Sequence, residues 1–154
     1  MALSPGDAAP DFSLPDAEGN LYHLGDLKGK RVVLYFYPRD NTPGCTKEAC
    51  GFRDAYGAYQ ERDAIVLGVS TDDAKSHGKF IAKHTLPFPL LVDRDGEVAT
   101  RYGVYGLKKF MGKEYMGITR STFIIGPDSK VEKIYLKVKP ETHADTVLAD
   151  LDNL

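Results

Sequence analysis

Arg31-Val32-Val33-Leu34-Tyr35-Phe36-Tyr37, followed at once by Pro38-Arg39-Asp40-Asn41-Thr42-Pro43-Gly44, is the stretch on which the fold turns. The first seven residues are almost continuously β-branched or aromatic, the pattern of a strand buried on both faces. The next seven are rich in turn formers. A helix is expected from about Cys45 to Glu61, with Phe52, Tyr56 and Tyr59 along one face. Working outward, Ala64 to Ser70 reads as a second buried strand, Ala74 to His84 as a helix, and Pro89 to Val92 as a short strand. Gly96 to Tyr102 suits a brief helix. Ser121 to Ile125 and Val131 to Val138 read as strands joined through Gly126-Pro127-Asp128-Ser129-Lys130, and Pro140 to Leu151 as a terminal helix with proline at its start. Ahead of all this, Phe12 to Leu14 and Leu21 to His23 flank Asp16-Ala17-Glu18-Gly19-Asn20 as a hairpin.

Alternating strands and helices imply crossovers onto one sheet with helices on both faces. The expected fold is α/β and thioredoxin-like: a central mixed sheet flanked by helices, with an N-terminal β-hairpin extension. No repeat or linker divides the 154 residues, so a single domain over 1–154 is expected. A net charge of −2, from 20 basic and 22 acidic residues, argues against a nucleic-acid or anionic-membrane partner. No run approaches the length of an apolar membrane span. Met1-Ala2-Leu3-Ser4-Pro5-Gly6-Asp7 lacks the basic start and apolar block of an export signal, so a cytoplasmic location is expected.

Only two cysteines occur, Cys45 and Cys50. A bridge between them closes too small a loop to matter for stability, so the pair reads as chemical. Cys45 falls in the first turn of the expected helix, beside free backbone amides and the positive end of the helix dipole, which favours the thiolate. Thr42 lies three residues earlier, across Pro43-Gly44. Its hydroxyl can cap the helix, or reach the sulfur and an incoming oxygen. Pro38 and Pro43 stiffen the loop, and Pro38 can either wall the sulfur off from water or simply end the strand.

Pro38-x-x-x-Thr42-x-x-Cys45 resembles the active-site pattern of peroxiredoxins. The longer string from Asn41 through Cys45-Thr46-Lys47-Glu48-Ala49-Cys50-Gly51-Phe52-Arg53-Asp54 is similar to the bacterioferritin-comigratory, or Q-type, branch. Gly6-Asp7-Ala8-Ala9-Pro10-Asp11-Phe12, Val69-Ser70 with Asp72, Asp93-x-x-Gly96 and Arg120-Ser121-Thr122-Phe123-Ile124-Ile125 extend the likeness along nearly the whole chain. The resemblance implies a peroxidase that attacks hydroperoxides through Cys45, with Arg120 as the cation beside the sulfur and Glu48 orienting that arginine or an active-site neighbour; on its local sequence alone Glu48 reads as a solvated helix residue. It names thioredoxin, or a similar dithiol, as reductant and favours a monomer or weak homodimer. No cofactor or metal is implied. Backbone amides at Gly44 and Cys45, with Thr42 and a cation, suit the charge that develops on the departing oxygen.

A sulfenic acid on Cys45 condenses readily with a second thiol, and Cys50 is the only other one in the chain. On an ideal helix, residues five apart lie roughly 8–9 Å between Cα atoms, beyond the reach of about 7 Å that disulfides span. Closing the bond therefore requires the first turns to unwind. The alternative is resolution by glutathione or another external thiol, with Cys50 a buried small residue. Two rival functions stand beside the peroxidase. A thioredoxin-type oxidoreductase fits poorly, because that chemistry uses Cys-x-x-Cys. A metal module would draw on Cys45, Cys50, His23, His77, His84 and His143, which form no recognised zinc spacing. Phe80, Leu107, Phe110, Met111, Tyr115 and Met116 are candidates for the mouth of the pocket.

Overall fold

A computed structural model describes residues 3–154. β1 (Ser13–Pro15) pairs antiparallel with β2 (Leu21–His23), across a turn in which the Asp16 carboxylate accepts from the amides of Glu18 and Asn20. β3 (Arg31–Phe36) follows, then α1 (Pro43–Asp54), α2 (Tyr56–Glu61), β4 (Ala64–Ser70), α3 (Ala74–His84), β5 (Leu90–Val92) and α4 (Glu97–Arg101). The chain ends with β6 (Tyr105–Phe110), β7 (Lys113–Ile118), β8 (Ser121–Ile125), β9 (Val131–Tyr135) and α5 (His143–Leu151).

β3 is the middle strand of a five-stranded sheet in the order β5-β4-β3-β8-β9. Helical crossovers bring β4 and β5 back parallel to β3, whereas β8 and β9 run antiparallel to their neighbours. The sheet is mixed, as expected. The two-residue alternation of β3 sorts the core into two layers. Val33, Tyr35 and Tyr37 face Phe52, Tyr59, Phe80 and Val147, on the side that carries α1, α2, α3 and α5. Val32, Leu34 and Phe36 face Leu14, Val98, Tyr102 and Phe123, beneath the N-terminal hairpin and α4. Phe52 stacks on Tyr35 at 4.8 Å between ring centroids, fastening α1 to β3. Burying such a ring contributes about 1.5–3 kcal/mol. Cys45 lies two turns before Phe52 on the same helix face, so this contact aims the thiol at the sheet.

Four features depart from the sequence expectation by more than two residues. The helix expected to run through Glu61 bends at Ala55 (φ −96, ψ 3), and beyond the bend Tyr59 turns inward and donates to the Ala144 carbonyl at 2.6 Å. β9 stops at Tyr135, short of Val138, and the next residue, Leu136, is exposed. The last helix begins at His143 rather than Pro140, with Thr142 in the capping position. The largest difference is the β6–β7 hairpin, which no sequence signal marked. It turns through Met111 and Gly112, both at positive φ (51 and 79), the backbone of a two-residue hairpin turn. Its side chains do not alternate between core and solvent, which removes the usual signature of a strand.

Candidate active site

Pro43 opens α1, where its missing N–H costs nothing, and Thr42 precedes it in extended conformation. The first helical bond runs from the Thr46 amide to the Thr42 carbonyl at 2.8 Å. The amides of Gly44 and Cys45 lie ahead of that bond, in the turn without intrahelical acceptors. Cys45 is only 1% exposed and packs in the aromatic layer with Tyr35, Ala49 and Phe52. The Thr42 hydroxyl makes no cap bond. It donates to the Arg39 carbonyl at 2.9 Å, which commits its one proton and leaves its oxygen an acceptor. Pro38 is half-buried at the end of β3.

Arg120, in the link between β7 and β8, brings the site together. Its Nη2 donates to Cys45 Sγ at 3.3 Å and its Nη1 to Glu48 Oε1 at 2.7 Å. Glu48 is not the solvated helix residue that its local sequence suggests: its side chain is 0% exposed. It lies three residues after Cys45, on the same helix face, so both point at Arg120. Its second oxygen has no hydrogen-bond partner among the described residues. Burial pushes the Glu48 carboxyl up to about 7, against the pull of the Arg120 charge and hydrogen bond. Burial also works against the charge on Arg120, but Glu48 and Cys45 more than offset it. His143 donates to or accepts from Thr122 Oγ1 at 2.7 Å. Burial lowers its pKa to about 4, with Arg120 adding to the effect, so it stays neutral near pH 7.

Gly44 is required by the approach of Arg120. A Cβ built there would lie 3.0 Å from Nη2 of a guanidinium already held by Glu48 and Cys45. Gly44→Ala is expected to displace that group by a few tenths of an ångström and slow oxidation of Cys45 by about tenfold. Stopped-flow mixing with hydrogen peroxide measures it, and an unchanged melting temperature would separate the effect from unfolding.

Sequence reasoning missed the network that holds the Cys45 loop from behind. Asp40 accepts from Tyr37 Oη at 2.5 Å and Ser76 Oγ at 2.8 Å, and its other contact is His77 Nδ1 at 2.7 Å. His77 Nε2 faces the Leu91 carbonyl at 2.9 Å, and the Asp40 amide donates to Asp72 Oδ2 at 2.8 Å. Asp40 and His77 are 37 residues apart, and no local pattern announces such a pair. Asp40, Asp72 and His77 are the one group of metal-ligating types gathered among the described residues. No cysteine joins it, and both His77 nitrogens are engaged within the protein. Phe80, expected at the pocket mouth, is instead 2% exposed in the core, because α3 packs its apolar side onto the sheet. Leu107, Phe110, Met111, Tyr115 and Met116 are exposed on the β6–β7 hairpin. Cys50 is half-buried further along the unbroken α1, and both cysteines are free.

Residues 5–134 match the AhpC/TSA family. Peroxiredoxin Bcp of Bacillus subtilis is 48% identical over 154 residues, covering 100% of this chain and 98% of that protein. The structure is similar to that of a mutant PrxQ from Xylella fastidiosa, with a TM-score of 0.93 and 34% identity over 99% of this chain and 98% of that one. It is also similar to the bacterioferritin comigratory protein of Xanthomonas campestris, described for its alkyl peroxide reduction activity. There the TM-score is 0.87, with 39% identity over 92% of this chain and 90% of that one.

Proposed function

The chain belongs to the AhpC/TSA family and is a thiol-dependent peroxidase, a peroxiredoxin with a thioredoxin-like fold, and on that premise we propose that Cys45 is its peroxidatic nucleophile. The observation that carries this reading is the Arg120 guanidinium, 3.3 Å from a sulfur in the first turn of α1. A fixed cation and free amides stabilise the anionic sulfur, and then the negative charge that passes to the departing oxygen. The thiolate attacks one peroxide oxygen. An S–O bond forms as the O–O bond breaks, and the leaving oxygen takes up a proton to give water or an alcohol. Glu48 holds the other edge of Arg120, Gly44 allows its approach, Thr42 accepts from the peroxide, and Pro38 limits the opening to water. The alkyl peroxides named for the Xanthomonas protein, together with hydrogen peroxide, are the proposed substrate class.

Cys50 is the proposed resolving thiol: its sulfur displaces hydroxide from the Cys45 sulfenic acid, releasing water and forming a disulfide. A dithiol of the thioredoxin type, general for this family, returns both cysteines to thiols. A cytoplasmic location and a monomer or weak homodimer fit this role; no helix among the described residues is long and apolar enough to cross a membrane. One equivalent of hydrogen peroxide, followed by mass spectrometry, tests the assignment. The expected product has lost two hydrogens and yields a peptide linking Cys45 to Cys50, while Cys50→Ser gains one oxygen on Cys45. A wild-type product that keeps an added oxygen would remove Cys50 from the cycle, and an unmodified Cys45 would remove the nucleophile.

A further inference from the structure

Outside the strand ladders, three hydrogen bonds among the described residues hold the backbone that presents Arg120. The Thr119 amide donates to the Val104 carbonyl at 2.8 Å, Ser121 Oγ donates to the Thr119 carbonyl at 2.8 Å, and Lys108 Nζ donates to the Ile118 carbonyl. Only the last comes from a charged group. Lys108 and Tyr115 pair across β6 and β7. A Cβ at Gly117 would lie 3.2 Å from Lys108 Cδ and 3.1 Å from Tyr115 Cε2, so both side chains lie down over the bare glycine. The ammonium is thereby directed to the root of the hairpin rather than into solvent.

A charge count explains why a cation belongs there. Arg120 is shared between Cys45 and Glu48. With Glu48 ionised, its carboxylate cancels the guanidinium, and the thiolate is left as an unbalanced negative charge in a buried setting, which is costly. One further positive charge restores neutrality. We propose that Lys108 is a positioning residue and second cation of the peroxidase centre, fixing the Ile118 carbonyl two residues before Arg120 and balancing the Cys45 thiolate when Glu48 is ionised. This inference rests on Cys45 being the nucleophile. Lys108 responds electrostatically to Arg120 and Cys45. Burial and the Arg120 charge lower its pKa, while Cys45 acts in the opposite direction. Tyr115 is its neighbour on the facing strand, and Glu48 and the neutral His143 stand behind Arg120.

The test compares Lys108→Met, Lys108→Gln and Lys108→Arg with wild type, in competition for hydrogen peroxide at pH 6 and pH 8. Glu48, at about 7, is mostly protonated at the lower pH and mostly ionised at the upper. Lys108→Met is expected to slow Cys45 oxidation roughly tenfold at pH 8 and less than about threefold at pH 6. Lys108→Gln, which keeps a donor for Ile118 but no charge, follows it at pH 8, and Lys108→Arg stays within about twofold of wild type. Wild-type rates for Lys108→Met at both pH values would overturn the proposal. So would an equal, pH-independent loss in all three variants, which would leave Lys108 a strut without an electrostatic role. Cys45→Ser is run alongside: turnover in that variant would sink the nucleophile assignment itself, an outcome distinct from failure of the lysine variants.

Discussion

Arg120→Met is expected to slow oxidation of Cys45 by about 10²–10³-fold, the cost of losing one preorganised donor to a developing oxyanion. Arg120 does two things from one planar group: Nη2 meets the sulfur while Nη1 is held by Glu48. Arg120→Lys is expected to recover little of the loss, because a single ammonium cannot span both partners. Removing the guanidinium also strands Glu48, whose other oxygen already lacks a partner among the described residues. The double variant Arg120→Met/Glu48→Gln separates the two effects. If it folds as wild type and remains slow, the loss belongs to the chemistry. Rates measured in a Cys50→Ser background isolate the first half-reaction, and a single variant within threefold of its parent would contradict this account of the site.

His77→Ala is expected to destabilise the protein by about 3–5 kcal/mol, the usual cost of removing one partner from a buried ion pair. His77 Nε2 must donate to the Leu91 carbonyl, and Nδ1 sits 2.7 Å from the Asp40 carboxylate, so the doubly protonated ring satisfies both contacts. Burial alone would lower the pKa, but the Asp40 hydrogen bond and charge, with help from the Leu91 carbonyl and Asp72, raise it above 6.5. The folded protein therefore holds this proton more tightly than the unfolded chain. Its contribution is complete below pH 6.5 and declines as pH rises through the elevated folded value. Urea unfolding at pH 6 and pH 9 checks both points. Wild type loses stability over that interval through this group, and His77→Ala, unstable at both, lacks that component of the slope. Because Asp40 lies in the loop before Cys45, weakening it should also speed hydrogen exchange at the amides of residues 39–42.

Local signals account for what the sequence made legible. The apolar run at 31–37, the turn formers after it and Pro43 at a helix start lie within fifteen residues, and together they place Cys45 in the first turn of α1. Arg120 came from family likeness, since nothing near it distinguishes it from the other basic residues. The burial of Glu48 was hidden because its helix neighbours, Lys47 and Arg53, are solvent-facing types; only the position of the incoming β7–β8 link makes that face an interior. The His77–Asp40 pair and the Lys108–Ile118 bond depend on tertiary proximity and leave no periodic trace. In the β6–β7 hairpin, Gly106, Lys108, Lys109 and Gly117 break the alternation, and the large apolar side chains are spread over a two-stranded ribbon instead of being gathered into the core.

Both thiols sit on one continuous helix that Phe52 pins to the sheet just beyond Cys50. A bond between them cannot coexist with that helix, so the cycle proposed above would present two different shapes to its two reactants. In that cycle the oxidant would meet the folded cup of amides and guanidinium. The reductant would meet an unwound segment, tethered downstream by the contact of Phe52 with Tyr35. Such a division would let one short segment serve two unlike visitors in turn.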